Sequence, residues 1–315
     1  MIPFAAPMLA RGSASALANT LSFSFTGGAL PSGVTASGGA GGRLVNPAGL
    51  LVNASAPRFD YDPLTHAARG LLVETAGANL CLQSESFDSG TWSKTSVVAT
   101  ANATVAPDGT ATADLLAATS TGAFMSQTLT NVVTAAFTYS CFFKAGNFPW
   151  LRFVVQSASG AHSAQFWFDL TNHAAGIGTV AAGSPTVSGY GVDDAGGGWL
   201  RCWATVQVPA ETSALLVLLA ANGNGSGVQP AGAQYYAWGA QIEQSLKPTS
   251  YIGPTTTVSA SRSADAIGFV VPAVTGHVVF AFDDGSQQTV AVAPGSYAIP
   301  ATLNRARIAS ITGTA

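Results

Sequence analysis

The sequence predicts an all-β fold: a jelly-roll, lectin-like β-sandwich with an N-terminal β attachment region and a small C-terminal β module. Three observations point there. Only 9% of the 315 residues are Asp, Glu, Lys or Arg, against roughly 25% in ordinary soluble domains, and surface helices need those residues on their wet face. Short apolar–polar alternations recur, each long enough for one strand. Between them stand turn signals such as Asp108–Gly109, Gly196–Gly198 and the NGNGSG run at 222–227. Many short alternating strands punctuated this way are the pattern of a sandwich or jelly roll.

The chain divides into four expected segments: an N-terminal attachment region (1–78), a central sandwich (79–252), a linker (253–275) and a small terminal module (276–315). In the first, Leu21, Phe23 and Phe25 alternate with serines, and RLVNPAGLLV reads as a hairpin turning at Asn46–Gly49. PRFDYDPLTHAARGLLVE (57–74) is expected to wrap along another module.

The central segment holds the clearest strands. TYSCFFKAG (138–146) puts Tyr139, Cys141 and Phe143 on one face. LRFVVQSA (151–158), AQFWFDL (164–170), GWLRCWATVQVP (198–209), ALLVLLAA (214–221) and QYYAWGAQIE (234–243) follow. In the last segment VVFAF and QTVAV flank a hairpin turn at Asp284–Gly285.

Composition also excludes function classes. Net charge is −3 and no Lys/Arg cluster exists, so phosphate-driven nucleic-acid binding is not expected. The most apolar run, Leu215–Ala221, falls far short of the ~20 residues of a membrane span, so no membrane insertion is expected. The start, MIPFAAPMLARG, lacks the basic leader of a secretion signal. Cys81, Cys141 and Cys202 match no metal spacing and read as free thiols in strands, consistent with assembly in a reducing bacterial cytoplasm. The weakly charged surface resists self-association poorly, which points to a homo-oligomer.

Several motifs, in their order, carry a resemblance: PRFDYDP (57–63), GLLVETAGANLCLQSESF (70–87), TWSK (91–94), APDGTATADLL (106–116), FFKAG (142–146), GGGWLRCW (196–203), YAWGAQIEQS (236–245), PTSYI (248–252) and SRSADAI (261–267). Over roughly residues 20–267 the chain resembles the concanavalin-like or carbohydrate-binding-module-like domains of phage and gene-transfer-agent head spike and tail fibre proteins. The resemblance implies a virion-type structural subunit on the particle exterior that contacts other capsid, spike or tail proteins. It implies no enzymatic activity, and it carries over no ligand residues.

The candidate residues fit that expectation. Of the carboxylate pairs a hydrolase would need, Asp60/Asp62 sit in the N-terminal wrapping segment, Asp283/Asp284 suit a hairpin turn, and Asp193/Asp194 suit a turn better than a cation or sugar-hydroxyl contact. His66, His162, His173 and His277 are scattered, so neither a metal site nor a cofactor is expected. Sugar recognition needs aromatic faces. Trp199 and Trp238 read as sheet-packing, Trp203 as half-exposed and Trp92 as a plug at one end of the sandwich. Trp150, Trp167 and Tyr190 remain as the expected carbohydrate-binding residues. The same aromatics would equally suit packing between subunits.

Two readings stand. One is an adhesion subunit that grips host cell-surface polysaccharide. The other is a purely architectural connector without glycan binding.

Overall fold

The computed structural model describes residues 21–130, 135–209, 213–273 and 275–314. Of the expected attachment region, residues 1–20 lie outside the described residues. The chain is all-β. Seven strands come first: β1 (Ser22–Ser24), β2 (Val34–Gly38), β3 (Gly42–Val45), β4 (Leu51–Ala54), β5 (Phe59–Tyr61), β6 (Ala68–Leu72) and β7 (Gly77–Asn79). Then follow β8 (Ser93–Thr95), β9 (Val97–Thr104), β10 (Ala113–Ala118), β11 (Phe124–Thr130), β12 (Ala136–Ala145) and β13 (Trp150–Ser157). The sandwich continues with β14 (Ser163–Asp169), β15 (Ala174–Ala182), β16 (Thr186–Asp194), β17 (Trp199–Gln207), β18 (Ser213–Ala221) and β19 (Gln234–Glu243). The chain ends with β20 (Ala260–Arg262), β21 (Asp265–Val271), β22 (His277–Phe282), β23 (Gln287–Ala291), β24 (Gly295–Ala298) and β25 (Arg307–Thr314).

Two six-stranded antiparallel sheets make the sandwich. One runs β16-β17-β12-β19-β10-β9 and is called here the inner sheet. The other, β15-β14-β13-β18-β11-β8, is the outer sheet. Alternation sorts the side chains: Tyr139, Cys141 and Phe143 of β12 and Leu151, Phe153 and Val155 of β13 all point between the sheets. Phe143 and Phe153 meet edge to face at 5.5 Å across that interior. Trp92 closes the core, 1% exposed and stacked on Phe87 at 4.8 Å.

All three cysteines are buried free thiols. Cys141 and Cys202 stand opposite one another on β12 and β17. Cys81, expected in a strand, lies just beyond β7. Burial pushes all three thiols above their ordinary range, which leaves them poor nucleophiles.

The first and last segments are not separate modules. β1 and β6 both pair with β25, and with β5, β22 and β23 they form one six-stranded sheet. β2, β21 and β24 form a second sheet against it. Together they enclose a core that includes Phe25, Leu71, Phe269, Phe280 and Ile311. The expected linker 253–275 contains β20 and β21, and in β21 Ile267, Phe269 and Val271 alternate inward at 2–3% exposure. The reason is size. Some forty C-terminal residues cannot close a core alone, and strands from the start of the chain supply the missing half. We call this composite unit the base.

One glycine shows how tightly the base is wound. Gly38 ends β2 at φ +85°, and a Cβ there would meet the Ala264 carbonyl oxygen at 1.9 Å.

Candidate glycan-binding face

The two sides of the sandwich meet different surroundings. The far side of the inner sheet carries Phe142, Trp199 and Trp238, which pack with Tyr251 and with Leu51 of β4. Arg43 of β3 lies over the Trp238 and Tyr251 rings at 5.2 and 5.5 Å. This side is therefore covered by the β3–β4 hairpin, a two-stranded sheet of its own, and by the 248–252 segment. The far side of the outer sheet has no such cover among the described residues.

That open side is built by register. Leu151 and Phe153 face the core, so Trp150 and Arg152 face outward. Arg152 stands opposite Trp167 of β14 and Leu219 of β18. On β15 the register slips between Phe166↔Gly178 and Phe168↔Ala175, so Gly176 and Ile177 face the single Trp167. Gly176 is required there, because a Cβ would lie 2.8 Å from the Trp150 ring and 2.4 Å from Asn224 Oδ1. The NGNGSG loop is pinned beside it: Ile177 N donates to Asn224 Oδ1 at 2.8 Å, and Trp167 Nε1 donates to the Ser226 carbonyl at 2.8 Å. Arg152 lies over the Trp167 ring at 5.3 Å and donates from Nη2 to Gln165 Oε1 at 2.7 Å. Burial lowers the Arg152 pKa from its usual value.

The expected site residues separate. Trp150 and Trp167 share this face, and Trp150 is half-buried. Trp167, expected to offer a ring, is 3% exposed. It is the seat of Arg152 and not an open platform. Tyr190 is not brought to this face. It stands opposite Ala204 on β16 and packs on Phe166 at 5.2 Å, between the sheets at their open edge. The residues missed from sequence are Arg152, Gln165 and Asn224. Their signal was present, since Arg152 lies one alternation step from Trp150 and Gln165 one step from Trp167.

A second concavity, about 560 Å³, lies between the base and the inner sheet. Most of its acids are engaged, Asp193 being the exception among the described residues. Asp60 pairs with Arg307, Asp62 with Arg69 at 2.7 Å, Asp283 with Arg305 at 2.7 Å, and Asp194 contacts His173 Nδ1 at 2.5 Å. Asp193 and Asp194, expected in a turn, are the last residues of strand β16. Asp283 and Asp284 do hold the expected hairpin turn, where Asp284 accepts from Ser286 N at 2.9 Å.

The floor of this concavity is a buried charge network, here the latch. Arg58 Nε donates to Asp265 Oδ1 at 3.0 Å, Nη2 to Glu74 at 2.7 Å and also to Asp265 Oδ2, and Nη1 to Ser250 Oγ at 3.0 Å. Arg262 reaches Thr249 Oγ1 at 3.0 Å, and the Thr249 carbonyl accepts from Arg201 of β17 at 2.6 Å. Glu243 of β19 accepts from Thr249 N at 2.9 Å. The network thus runs from base strands through the 248–252 strap into the sandwich.

Burial alone would raise the Glu74 pKa. The Arg262 and Arg58 guanidiniums and the Ser250 hydroxyl instead lower it from 4.5 to about 2. A carboxylate depressed in the folded state contributes stability above its unfolded value, and that contribution is lost as pH falls through the folded one. Thermal midpoints are therefore expected to fall steeply from about pH 4.5 towards pH 2, by on the order of 3 kcal/mol from this group. Acid titration of Glu74→Gln is expected to be flatter over that window, and an unchanged slope would remove Glu74 as the cause.

Among the described residues no group of three or more His, Cys, Asp or Glu is placed to hold a metal ion. No helix of the described residues is long and apolar enough to cross a membrane.

No protein-family model matches the chain, and no curated protein matches it. Several solved structures are similar at low scores, among them the following three. The enzymatically active domain of tailspike protein 4 of bacteriophage CBA120 matches 52% of this chain and 21% of its own, at 15% identity and TM-score 0.31. The N-terminal CBM22-1–GH10 modules of Clostridium thermocellum endo-1,4-beta-D-xylanase 10B, complexed with xylohexaose, match 58% of this chain and 30% of theirs, at 13% identity and TM-score 0.31. A candidate sugar binding protein from Bacteroides thetaiotaomicron is covered over 100% of its length by 60% of this chain, at 9% identity and TM-score 0.28. The chain thus spans less than a third of the length of the first two.

Proposed function

We propose that this chain is a non-enzymatic, glycan-binding subunit of a phage-type particle, with the base as its attachment part and the outer sheet as its adhesive face. One observation carries the reading: the outer side of the sandwich presents a half-buried tryptophan, a guanidinium and a side-chain amide on adjacent strands, with a second amide, Asn224, on the loop pinned beside them. Aromatic faces with a few fixed polar groups are what ligand sites need. The concavity leaves Asp193 alone without an ion pair among its described acids, which supports binding without turnover, since a hydrolase needs two carboxyl groups free for proton transfer and nucleophilic or base roles.

A single shallow face binds weakly, and several copies on one particle raise avidity without new contacts. The chain on the particle is therefore a homo-oligomer in this reading.

The test is titration of the full chain against a panel of bacterial surface polysaccharides. Binding is expected, and Trp150→Ala is expected to weaken it roughly tenfold, the loss of about 1 kcal/mol of ring contact. The buried apolar row Val154, Val217 and Leu219 beside the site suits a protein partner better than a sugar. Absence of glycan binding, with stable co-purification of a particle protein, would establish the connector reading instead.

A further inference from the structure

We infer that the ligand of the outer face is an acidic glycan, its sugar carboxylate held by Arg152. The inference rests on the glycan-binding reading above and narrows it to sugars of the uronate or sialate class.

The argument starts from what the other arginines do. Arg43 pairs with Glu85 and Asp108, Arg58 with Glu74 and Asp265, Arg69 with Asp62 and Arg262 with Glu74. Arg305 pairs with Asp283 and Arg307 with Asp60. Arg201 lies in the field of Glu243 and Asp193. Among the described arginines, Arg152 alone has no carboxylate acting on it; burial is the only influence on its charge. A half-buried cation without a counter-charge costs solvation that one ring contact and one neutral hydrogen bond return only in part. Selection for folding alone would favour a neutral residue at this place.

The side chain is also held in one orientation. Its plane rests on Trp167, Nη2 is tied to Gln165 Oε1, and Nε is sealed from solvent without a partner. The remaining nitrogen, Nη1, is neither sealed nor hydrogen-bonded among the described residues. A fixed guanidinium edge suits a planar carboxylate, and charge-assisted hydrogen bonds of this kind are the strong ones.

The neighbours fit the rest of a sugar. Trp150 lies two residues along the same face of β13, about 7 Å away, a spacing one sugar residue can bridge. Its half-buried ring can take the apolar side of the pyranose. Asp169, the carboxylate on this face among the described residues, is turned away from the role of counter-ion. Its oxygens accept from Thr171 N and Asn172 N at 3.0 Å and from Asn172 Nδ2 at 2.8 Å.

The test uses the full chain and three acidic probes: oligogalacturonate, hyaluronan fragments and sialyllactose. Each is titrated beside its carboxyl-reduced counterpart. At least one acidic probe is expected to bind tenfold or more tightly than its reduced form. Arg152→Gln is expected to abolish that preference. Arg152→Lys, which keeps the charge but not the planar fork, is expected to retain part of the preference. It also serves as the readout if the glutamine variant does not fold. Equal binding of acidic and reduced forms, or binding of neutral polysaccharides alone, overturns this inference and leaves the glycan-binding reading intact. Failure to bind any glycan overturns both.

Discussion

Replacing Arg58 with alanine is expected to lower the stability of the folded chain by about 3–5 kcal/mol. The side chain is fully buried, and its loss strands two carboxylates, Glu74 and Asp265, without one of their counter-charges. Removing one partner of a buried ion pair is the costly case, because the other charge stays desolvated. The effect should also have a shape. The latch joins base strands to the sandwich through Ser250 and Thr249, while each unit has its own hydrophobic core. Calorimetry of the variant is therefore expected to show the base melting first, as a transition split from that of the sandwich. A single transition, lowered by less than about 1 kcal/mol, would mean that the hydrophobic contacts around Trp238 and Tyr251 carry the junction.

Phe143→Ala is expected to cost a similar amount, about 3–5 kcal/mol, by a different route. The ring is fully buried and touches Phe153 edge to face and Tyr235 at 5.8 Å. Truncation leaves a cavity between two sheets that are held by their ladders and cannot close on it. Here the sandwich transition should move down and the base transition stay in place. Denaturant unfolding followed by tryptophan emission reads the sandwich, since Trp92, Trp150, Trp167, Trp199, Trp203 and Trp238 all lie in it. A base transition that moves as far as the sandwich transition would show one cooperative unit instead of two.

The sandwich was legible in the sequence because its signals are local. TYSCFFKAG and LRFVVQSA alternate as written, and β12 and β13 bury the residues that alternation assigns inward. Hairpins with Asp or Asn and a following Gly were equally plain: Asn46 Oδ1 accepts from Ala48 N and Leu50 N, and Gly49 takes φ +79°. The base was not legible as one unit. The pairing of Phe23 with Ile311 spans nearly the whole chain, and no local period records which distant strand completes a core. For the same reason 253–275 read as linker, although its Ile267, Phe269 and Val271 already alternated.

The site divides along the same line. Alternation placed Trp167 on the polar side of its strand, and the preceding Asn147–Pro149 loop pointed to Trp150, but neither signal can tell an exposed ring from one roofed by a neighbour. Trp167 is covered because Arg152 stands opposite it across the β13–β14 ladder and the NGNGSG loop folds onto its edge. Tyr190 was misplaced because the β16 register slips between Val187 and Gly189, which a single alternating run does not reveal. PRFDYDP, GLLVETAG and SRSADAI, which carried the resemblance, hold Arg58, Glu74, Arg262 and Asp265. In this chain these four residues form the latch.

The central claim is that glycan meets the outer sheet and not the concavity beside the base. Hydrogen exchange of the full chain with and without a bound polysaccharide tests it most directly. The account predicts slowed exchange at the ends of β13, β14 and β15 around Trp150, Arg152 and Gly176 and in the 222–228 loop, with the 58–74 and 247–251 segments unchanged. Protection confined to those base and strap segments, with β13–β15 unaffected, would contradict it.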